Sequence, residues 1–244
     1  MKKQLCALAL GVGMAVTGSM ASAAPVVGTF TGSASGQGLD LQGNFKYALT
    51  MNSGAAGLQV GDATFTDAHA TAGAVLTHQN YSSVALAGYT GSAADHNLGQ
   101  IMQQQVWSMA GATPEVTLTL GNLIAGQTYR VQLMFAESCC SRGFDIFQDG
   151  ALMVDDFSAG ALVGINNTLA SAVFSNEFIA ASNSVFFRFG GTAAGYPDNN
   201  PILNAATLES IDVLEGEVPE PASFGMLAAG LAMLGFMRRK GQQA

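Results

Sequence analysis

Charged residues are scarce in this chain. They make up 11% of its 244 residues, against about 25% in typical soluble proteins. A coiled coil needs charges beside its apolar seam, and an acidic disordered tail needs many charges with few apolar residues, so both classes are excluded. Basic residues are the scarcer sign, with nine lysines and arginines against seventeen aspartates and glutamates. Because nucleic-acid binding needs a basic surface, we expect no nucleic-acid partner.

Cysteine is also scarce, with three residues in the whole chain. Cys6 lies in the apolar N-terminal run, which leaves the adjacent pair Cys139 and Cys140. Thiols tend to pair in an oxidising compartment, but neighbouring Cα atoms lie only about 3.8 Å apart, below the usual range of about 4.4–6.8 Å. Two alternatives remain. Either the two cysteines form a vicinal disulfide, or they do not bond to each other and instead stay free or link two chains.

The N-terminus has the three parts of a secretory signal peptide. It begins with Met1-Lys2-Lys3, continues as an apolar run from Leu5 to Val16, and reaches an Ala-x-Ala site at Ala21 and Ala23. The pattern predicts a signal peptide over residues 1–23, a helix in its apolar part, export by the Sec machinery and cleavage after Ala23.

The C-terminus also has three parts. Pro219, Glu220 and Pro221 precede sixteen apolar or small residues from Ala222 to Met237. The chain then carries the basic cluster Arg238, Arg239 and Lys240. The run falls slightly short of the ~20 residues that span a bilayer comfortably, but long basic side chains extend its reach, and they favour the cytoplasmic side. Residues 217–244 are therefore predicted to include a transmembrane helix with a basic tail.

This end of the chain resembles the PEP-CTERM sorting signal of Gram-negative bacteria. The resemblance implies recognition by a membrane exosortase, removal of the helix from a precursor anchored in the inner membrane, and delivery to the cell surface or extracellular matrix. By charge and length alone, a plain C-terminal membrane anchor fits equally well.

The body between these signals, residues 24–216, is predicted to be one antiparallel β-sandwich. Runs with period-two alternation indicate half-buried strands, and they lie at 116–120, 129–135, 185–189 and 211–213. Asp149-Gly150 between two apolar runs predicts a hairpin, because both positions of such a turn need positive φ. The spacing of Leu98, Ile101, Met102 and Met109 predicts one short helix from about Ala93 to Trp107.

The second half of the body resembles the malectin-like, galactose-binding-like jelly rolls. The segments that carry the resemblance are 123–129, 131–137, 142–146 and 201–205. The resemblance implies a β-sandwich and carbohydrate as the ligand class. The ligand-contacting aromatic residues of the family are not carried over to positions of this chain.

One loop combines an aromatic ring with hydrogen-bonding side chains. It contains Tyr196, followed by Asp198, Asn199 and Asn200 between Pro197 and Pro201. Sugars stack on aromatic faces and bind carboxylate and amide groups, so this loop is the candidate ligand site. The alternative is a rigid turn whose residues serve conformation. The other aromatic candidates for a groove are Tyr89 and Trp107, with Tyr81.

Metal sites are only weakly indicated, and no cofactor is required. Asp145, Asp149 and Asp156 fit positions 1, 5 and 12 of a calcium loop, but Phe147 stands where an oxygen ligand belongs, so the hairpin interpretation is favoured. Asp155 and Asp156 remain calcium candidates in another geometry. The three histidines show no spacing typical of a zinc site.

These observations predict an exported, surface- or matrix-sorted protein that binds a glycan or exopolysaccharide and is not an enzyme. No strand-turn-helix elbow places a nucleophilic serine, and no carboxylate pair stands out for glycoside hydrolysis. The alternatives are a structural or adhesive surface protein without a specific ligand and, less favoured, a glycan-active hydrolase.

Both terminal signals are expected to be absent from the mature secreted product. Intact-mass measurement of the native protein checks this, with residues 1–23 and the C-terminal helix both missing. A surface species that still contains residues 222–244 contradicts processing by an exosortase and favours a simple anchor.

Overall fold

The computed structural model describes residues 24–84, 88–89, 91–112, 115–137, 139–165, 167 and 169–211. The predicted signal helix, the predicted transmembrane helix and the proposed domain end at residue 216 lie outside these residues. A compact unit ends at Ser210. No helix within the described ranges has the length and apolarity needed to cross a membrane.

The described residues form sixteen strands, two α-helices and one short 3-10 helix at Ser53–Ala55. The first strands are β1 (Val26–Phe30), β2 (Phe45–Thr50), β3 (Gln59–Val60), β4 (Ala63–Thr64), β5 (Thr66–Asp67), β6 (Ala74–Thr77) and β7 (Asn80–Ser83). Then follow α1 (Ala93–Met102), β8 (Gln104–Trp107), β9 (Val116–Leu120), β10 (Thr128–Phe135), β11 (Phe144–Gln148) and β12 (Ala151–Phe157). The last elements are α2 (Ala159–Val163), β13 (Ser171–Ile179), β14 (Val185–Gly190), β15 (Ile202–Leu203) and β16 (Ala205–Ser210).

Two sheets form the sandwich. The first has the order β1-β13-β10-β16-β2-β5, and the second has the order β12-β11-β14-β9-β6. Strands β15, β8 and β7 form a smaller sheet, and β3 pairs with β4. Among the strands of the described residues, all pairs are antiparallel except β2 with β5, which run parallel. The predicted β-sandwich is confirmed.

The first sheet buries apolar side chains on both of its faces. On β10, the alternating residues Val131, Leu133 and Phe135 lie in the core between the two sheets, because successive side chains of a strand point to opposite faces. Met134, on the other face, lies in a second core with residues of α1. The helix therefore covers the outer face of the first sheet, and its apolar side consists of Leu98, Ile101 and Met102, all of them buried.

The predicted hairpin is confirmed. Asp149 and Gly150 join β11 to β12, with φ values of 49° and 84°. These positive values at both turn positions are the reason why the Asp-Gly pair is a strong hairpin signal.

The predicted helix boundary is wrong. Helix α1 ends at Met102, whereas Trp107 belongs to β8 and pairs with Asn80 of β7 and Ile202 of β15. Met109 lies beyond that strand and is 57% exposed. Pairing on both edges of β8 outweighs the helical spacing, which Met109 matches only by coincidence. A second, five-residue helix, α2, was not predicted.

The final predicted strand is shifted. Strand β16 covers Ala205–Ser210, and Ile211 lies outside it. The predicted strand residues 212 and 213 lie outside the described residues.

Candidate functional site

The candidate site lies at the end of the sandwich where β10 and β14 finish and β11 and β16 begin. We call residues 139–143 the disulfide loop and residues 191–201 the Tyr196 loop. The two loops are joined by a parallel backbone bridge between Arg142 and Asp198. The Gly143 N–H also donates to the Asp198 carbonyl, with an N···O distance of 2.9 Å. Both loops stand on strands whose core-facing aromatic rings pack together, so their ends are held by rigid sheet.

Arg142 is the centre of the site. Its side chain is only 11% exposed, and its Nε donates to Oδ2 of Asp198 at 3.2 Å. Its Nη1 lies 3.6 Å from Oε1 of Glu137. Its guanidinium carbon lies 6.0 Å from the ring centroid of Trp107, which is within the range of a cation–π contact. One guanidinium thus connects an aromatic ring to two carboxylates.

Glu137 is the buried member of this group. Its side chain has no exposed surface, and the backbone N–H of Arg142 donates to its carboxylate at 3.3 Å. Burial raises the pKa of Glu137 to about 7, although the charge of Arg142 acts to lower it. Because the removal of water favours the neutral form of a carboxyl group, this group titrates close to neutral pH.

The polar residues of the Tyr196 loop hold the loop itself. Asn199 donates from Nδ2 to the carbonyls of Gly143 and Ala193, at 3.0 and 3.3 Å. Asn200 accepts the Ala110 N–H at 2.6 Å, and its own N–H donates to Asp198 Oδ1 at 2.9 Å. The predicted rigidity of the loop thus has a physical cause in these hydrogen bonds.

The aromatic candidates divide into two groups. Tyr196 is half-buried, and its ring covers Gly143 so closely that a Cβ there would lie 2.2 Å from a ring atom. Trp107 is also half-buried and lies beside Arg142. Tyr89 is only 5% exposed, packs in the second core, and shares a hydrogen bond with the Ser171 hydroxyl at 2.5 Å. Tyr89 is therefore removed from the candidate set, because its ring offers no free face to a ligand.

The two adjacent cysteines of the disulfide loop form a vicinal disulfide. Cys139 and Cys140 are bonded, with Cα atoms 3.7 Å apart. Cys140 and Ser141 adopt φ values of 83° and 44°, which non-glycine residues seldom adopt. The chain turns sharply here, immediately before Arg142.

Three carboxylates lie together beside the site. Oxygens of Asp145, Asp155 and Asp156 are all within 4.8 Å of one another. The charge of Asp156, and then that of Asp145, raises the pKa of Asp155. Within the described residues, the arginines form their ion pairs with other carboxylates, so no arginine ion pair there neutralises these three aspartates. The donor set therefore fits calcium, which prefers carboxylate oxygens.

Glu137 and Arg142 were missed as site residues by the sequence analysis. Both stood inside the malectin-like segments, but neither was assigned a role. The available signal was a carboxylate directly after the apolar end of β10, since a charge in such a place needs a partner.

Glu137→Gln is expected to change how stability depends on pH. A carboxyl whose pKa is raised in the folded state binds a proton that the unfolded chain has already released, so wild-type stability falls as pH rises from about 4.5 through about 7. The variant lacks this group. Over that pH range its unfolding free energy should therefore fall less than that of the wild type, with a difference on the order of 3 kcal/mol. Urea unfolding at pH 5 and pH 8 measures the difference, and parallel pH profiles contradict the assignment.

The exported protein is expected to contain no free thiol. If Cys139 and Cys140 are bonded to each other, thiol titration of the denatured, non-reduced monomer detects no free thiol. Two titratable thiols per chain, or a dimer that a reductant dissociates into monomers, exclude the vicinal bond.

Residues 217–240 match the PEP-CTERM protein-sorting motif. The motif indicates an exported, membrane-anchored precursor that an exosortase processes and that is sorted to the cell surface in Gram-negative bacteria. No curated protein sequence is significantly similar to the chain.

The fold is similar to that of plant receptor ectodomains. The ANX2 ectodomain from Arabidopsis thaliana has a TM-score of 0.52 and 12% identity, and the match covers 80% of this chain and 52% of that one. The ANXUR2 extracellular domain from the same plant has a TM-score of 0.52 and 10% identity, with coverages of 77% and 49%. A chain from the complex of plant peptide RALF23 with FER and LLG2 has a TM-score of 0.53 and 14% identity, with coverages of 70% and 49%.

The chain thus spans about half the length of these receptor chains. At sequence identities this low, the structural similarity shows the fold alone. The likeness supports a β-sandwich as the body of a protein that carries a PEP-CTERM sorting motif.

Proposed function

We infer that this exported, surface-sorted protein binds carbohydrate at the loop end of its sandwich and performs no catalysis. The observation that carries the proposal is the arrangement of Trp107, Arg142 and Asp198, in which an aromatic ring lies beside a fixed ion pair. Aromatic faces stack on sugar rings, and carboxylate and guanidinium groups bind hydroxyls. Tyr196 adds a second half-buried ring at the same end.

The rigidity of the two loops supports binding. Hydrogen bonds fix the Tyr196 loop to Gly143 and Ala110, so little conformational freedom is lost when a ligand binds. The body carries four basic and fifteen acidic residues between positions 24 and 216. Such a surface disfavours polyanions and suits a neutral glycan, for example an exopolysaccharide of the extracellular matrix.

The position of Glu137 supports a non-catalytic role. Its raised pKa would suit a general acid, but the side chain has no exposed surface. A general acid must come within hydrogen-bond reach of the bond it protonates. Asp198 is paired with Arg142, so the site offers no pair of free carboxylates for glycoside hydrolysis.

The cluster of Asp145, Asp155 and Asp156 is proposed as an accessory calcium site. Calcium there would neutralise three close negative charges beside the Tyr196 loop. Asp156 already holds that loop, because its Oδ1 accepts the Ala194 N–H at 2.7 Å. A bound ion would thus stiffen the loop without contacting the glycan.

One observation favours a structural or adhesive protein as the second candidate. The predicted sugar-binding side chains of Asp198, Asn199 and Asn200 all bond to the protein itself. A loop whose polar groups are used internally is also what a stable surface scaffold requires.

The proposal is tested by a glycan array with the purified mature protein, in the presence of calcium and of EDTA. We expect at least one uncharged glycan to bind, more tightly with calcium. Tyr196→Ala should then weaken its affinity severalfold, since an aromatic contact contributes about 0.5–1.5 kcal/mol beyond its buried area. Asp198→Ala should weaken it too, but also lower the melting temperature, because the largely buried Arg142 loses one of its two carboxylate partners.

Phe186→Ala is the matched control, since this exposed aromatic residue lies next to the Asp149-Gly150 hairpin turn, at the opposite end of β14. Its affinity should equal that of the wild type. If the wild type binds no glycan, the structural alternative replaces the proposal. If Tyr196→Ala and Asp198→Ala both bind as tightly as the wild type, the site is elsewhere.

A further inference from the structure

Two histidines that show no ligand spacing in the sequence lie side by side in the fold. His69 follows β5, His78 follows β6, and Tyr81 lies on β7. The three rings pack together, with centroids 5.1 Å apart for the histidine pair and 4.4 Å apart for His78 and Tyr81. His69 is exposed and Tyr81 is 50% exposed. The cluster is therefore open to small solutes.

The ring nitrogens in this cluster point at one another. Nε2 of His69 lies 3.0 Å from Nε2 of His78. The Tyr81 hydroxyl oxygen lies 2.9 Å from the same His69 nitrogen. Two imidazole nitrogens thus face each other at the surface, and a phenol oxygen lies against the His69 ring, 3.3 Å from its Nδ1 as well.

Asp67 orients His69. Its Oδ1 accepts the His69 backbone N–H at 3.0 Å and lies 3.3 Å from Nδ1 of the ring. A histidine whose Nδ1–H donates to a carboxylate presents the lone pair of Nε2 outward, which is the usual arrangement behind a metal-ligating histidine.

His78 has the complementary arrangement. Its Nδ1 is buried and the ring interacts with the backbone of Asn80, so Nε2, which faces His69, is the nitrogen through which this ring can engage a ligand. Two lone pairs that face each other at this distance repel unless a proton or a cation lies between them.

We propose that His69 and His78 bind a divalent transition-metal ion through their Nε2 atoms, with Tyr81 as an adjacent oxygen ligand. Nitrogen ligands lie about 2.0–2.1 Å from zinc. Two such ligands are roughly 3 Å apart at a right angle and roughly 3.3 Å apart at the tetrahedral angle. The observed separation of 3.0 Å therefore needs little or no adjustment.

Imidazole ligands select the ion. They suit zinc, copper and nickel, whereas calcium and magnesium prefer oxygen. Asp67 supplies a nearby negative charge, and the acidic body attracts cations generally. This site thus differs in chemistry from the carboxylate cluster of Asp145, Asp155 and Asp156, and it does not depend on glycan binding.

Isothermal titration of the metal-free mature protein with Zn²⁺, Ni²⁺ and Mg²⁺ tests the proposal. We expect about one Zn²⁺ or Ni²⁺ per chain and no competition by Mg²⁺. His69→Ala and His78→Ala should each weaken the affinity more than about tenfold, and Asp67→Asn, which loses only an orienting group, about 10- to 100-fold. His96→Ala is the matched control, since His96 lies on α1 beside Gln100, apart from this cluster, and should bind like the wild type.

A second measurement does not depend on the folding of any variant. With one equivalent of Cu²⁺, electron paramagnetic resonance of the wild type should show coupling to two imidazole nitrogens. Coupling to fewer than two, or equal Zn²⁺ affinity in the wild type and the His69→Ala/His78→Ala double variant, overturns the proposal. Equal loss of affinity in His96→Ala overturns it as well, because binding is then not specific to the pair.

Discussion

Strand β10 must bury both of its faces, and much of the molecule follows from that requirement. It pairs with β13 on one edge and β16 on the other. Val131, Leu133 and Phe135 fill the core between the sheets, while Met134 needs a second apolar cover, which α1 provides. Nearer its beginning, the outer face carries Arg130 and Gln132, and these side chains bond to polar groups instead of a helix.

The candidate site is a consequence of how this strand ends. Directly after the buried Phe135 and Ala136, the chain places Glu137 where no water reaches it. A buried carboxylate is costly unless it is paired, so the fold needs a cation at this point. The sharp turn at the disulfide loop returns the chain so that Arg142 meets Glu137, and Asp198 completes the pairing from the other loop. The disulfide loop and the Tyr196 loop are thus joined by the requirement of a single buried charge.

Local signals predicted much of the fold and some residues of the site, but not how those residues meet. Period-two alternation located β9, β10 and β14, and Asp149-Gly150 located the hairpin, because these signals depend on neighbours in sequence. The boundary of α1 was wrong because β8 is held by partners on β7 and β15, which are distant in the chain. Trp107, Tyr196 and Asp198 of the site were named from the sequence. Glu137 and Arg142 were missed, because the sequence could not show which distant residues meet. Arg142 and Asp198 are 56 residues apart, and His69 meets His78 only because the turns after β5 and β6 lie side by side.

The scarcity of positive charge then limits what the surface can bind. Arg130, Arg142 and Arg188 each form ion pairs with carboxylates of the same fold, and Arg142 is largely buried. These guanidinium groups are therefore committed to holding loops and strands rather than attracting anions. The acidic surface that remains can engage a ligand in two ways, by uncharged hydrogen bonding and stacking, or by cation coordination. The two rings at the loop end suit the first way, whereas the carboxylate cluster beside the Tyr196 loop and the imidazole pair after β5 and β6 suit the second.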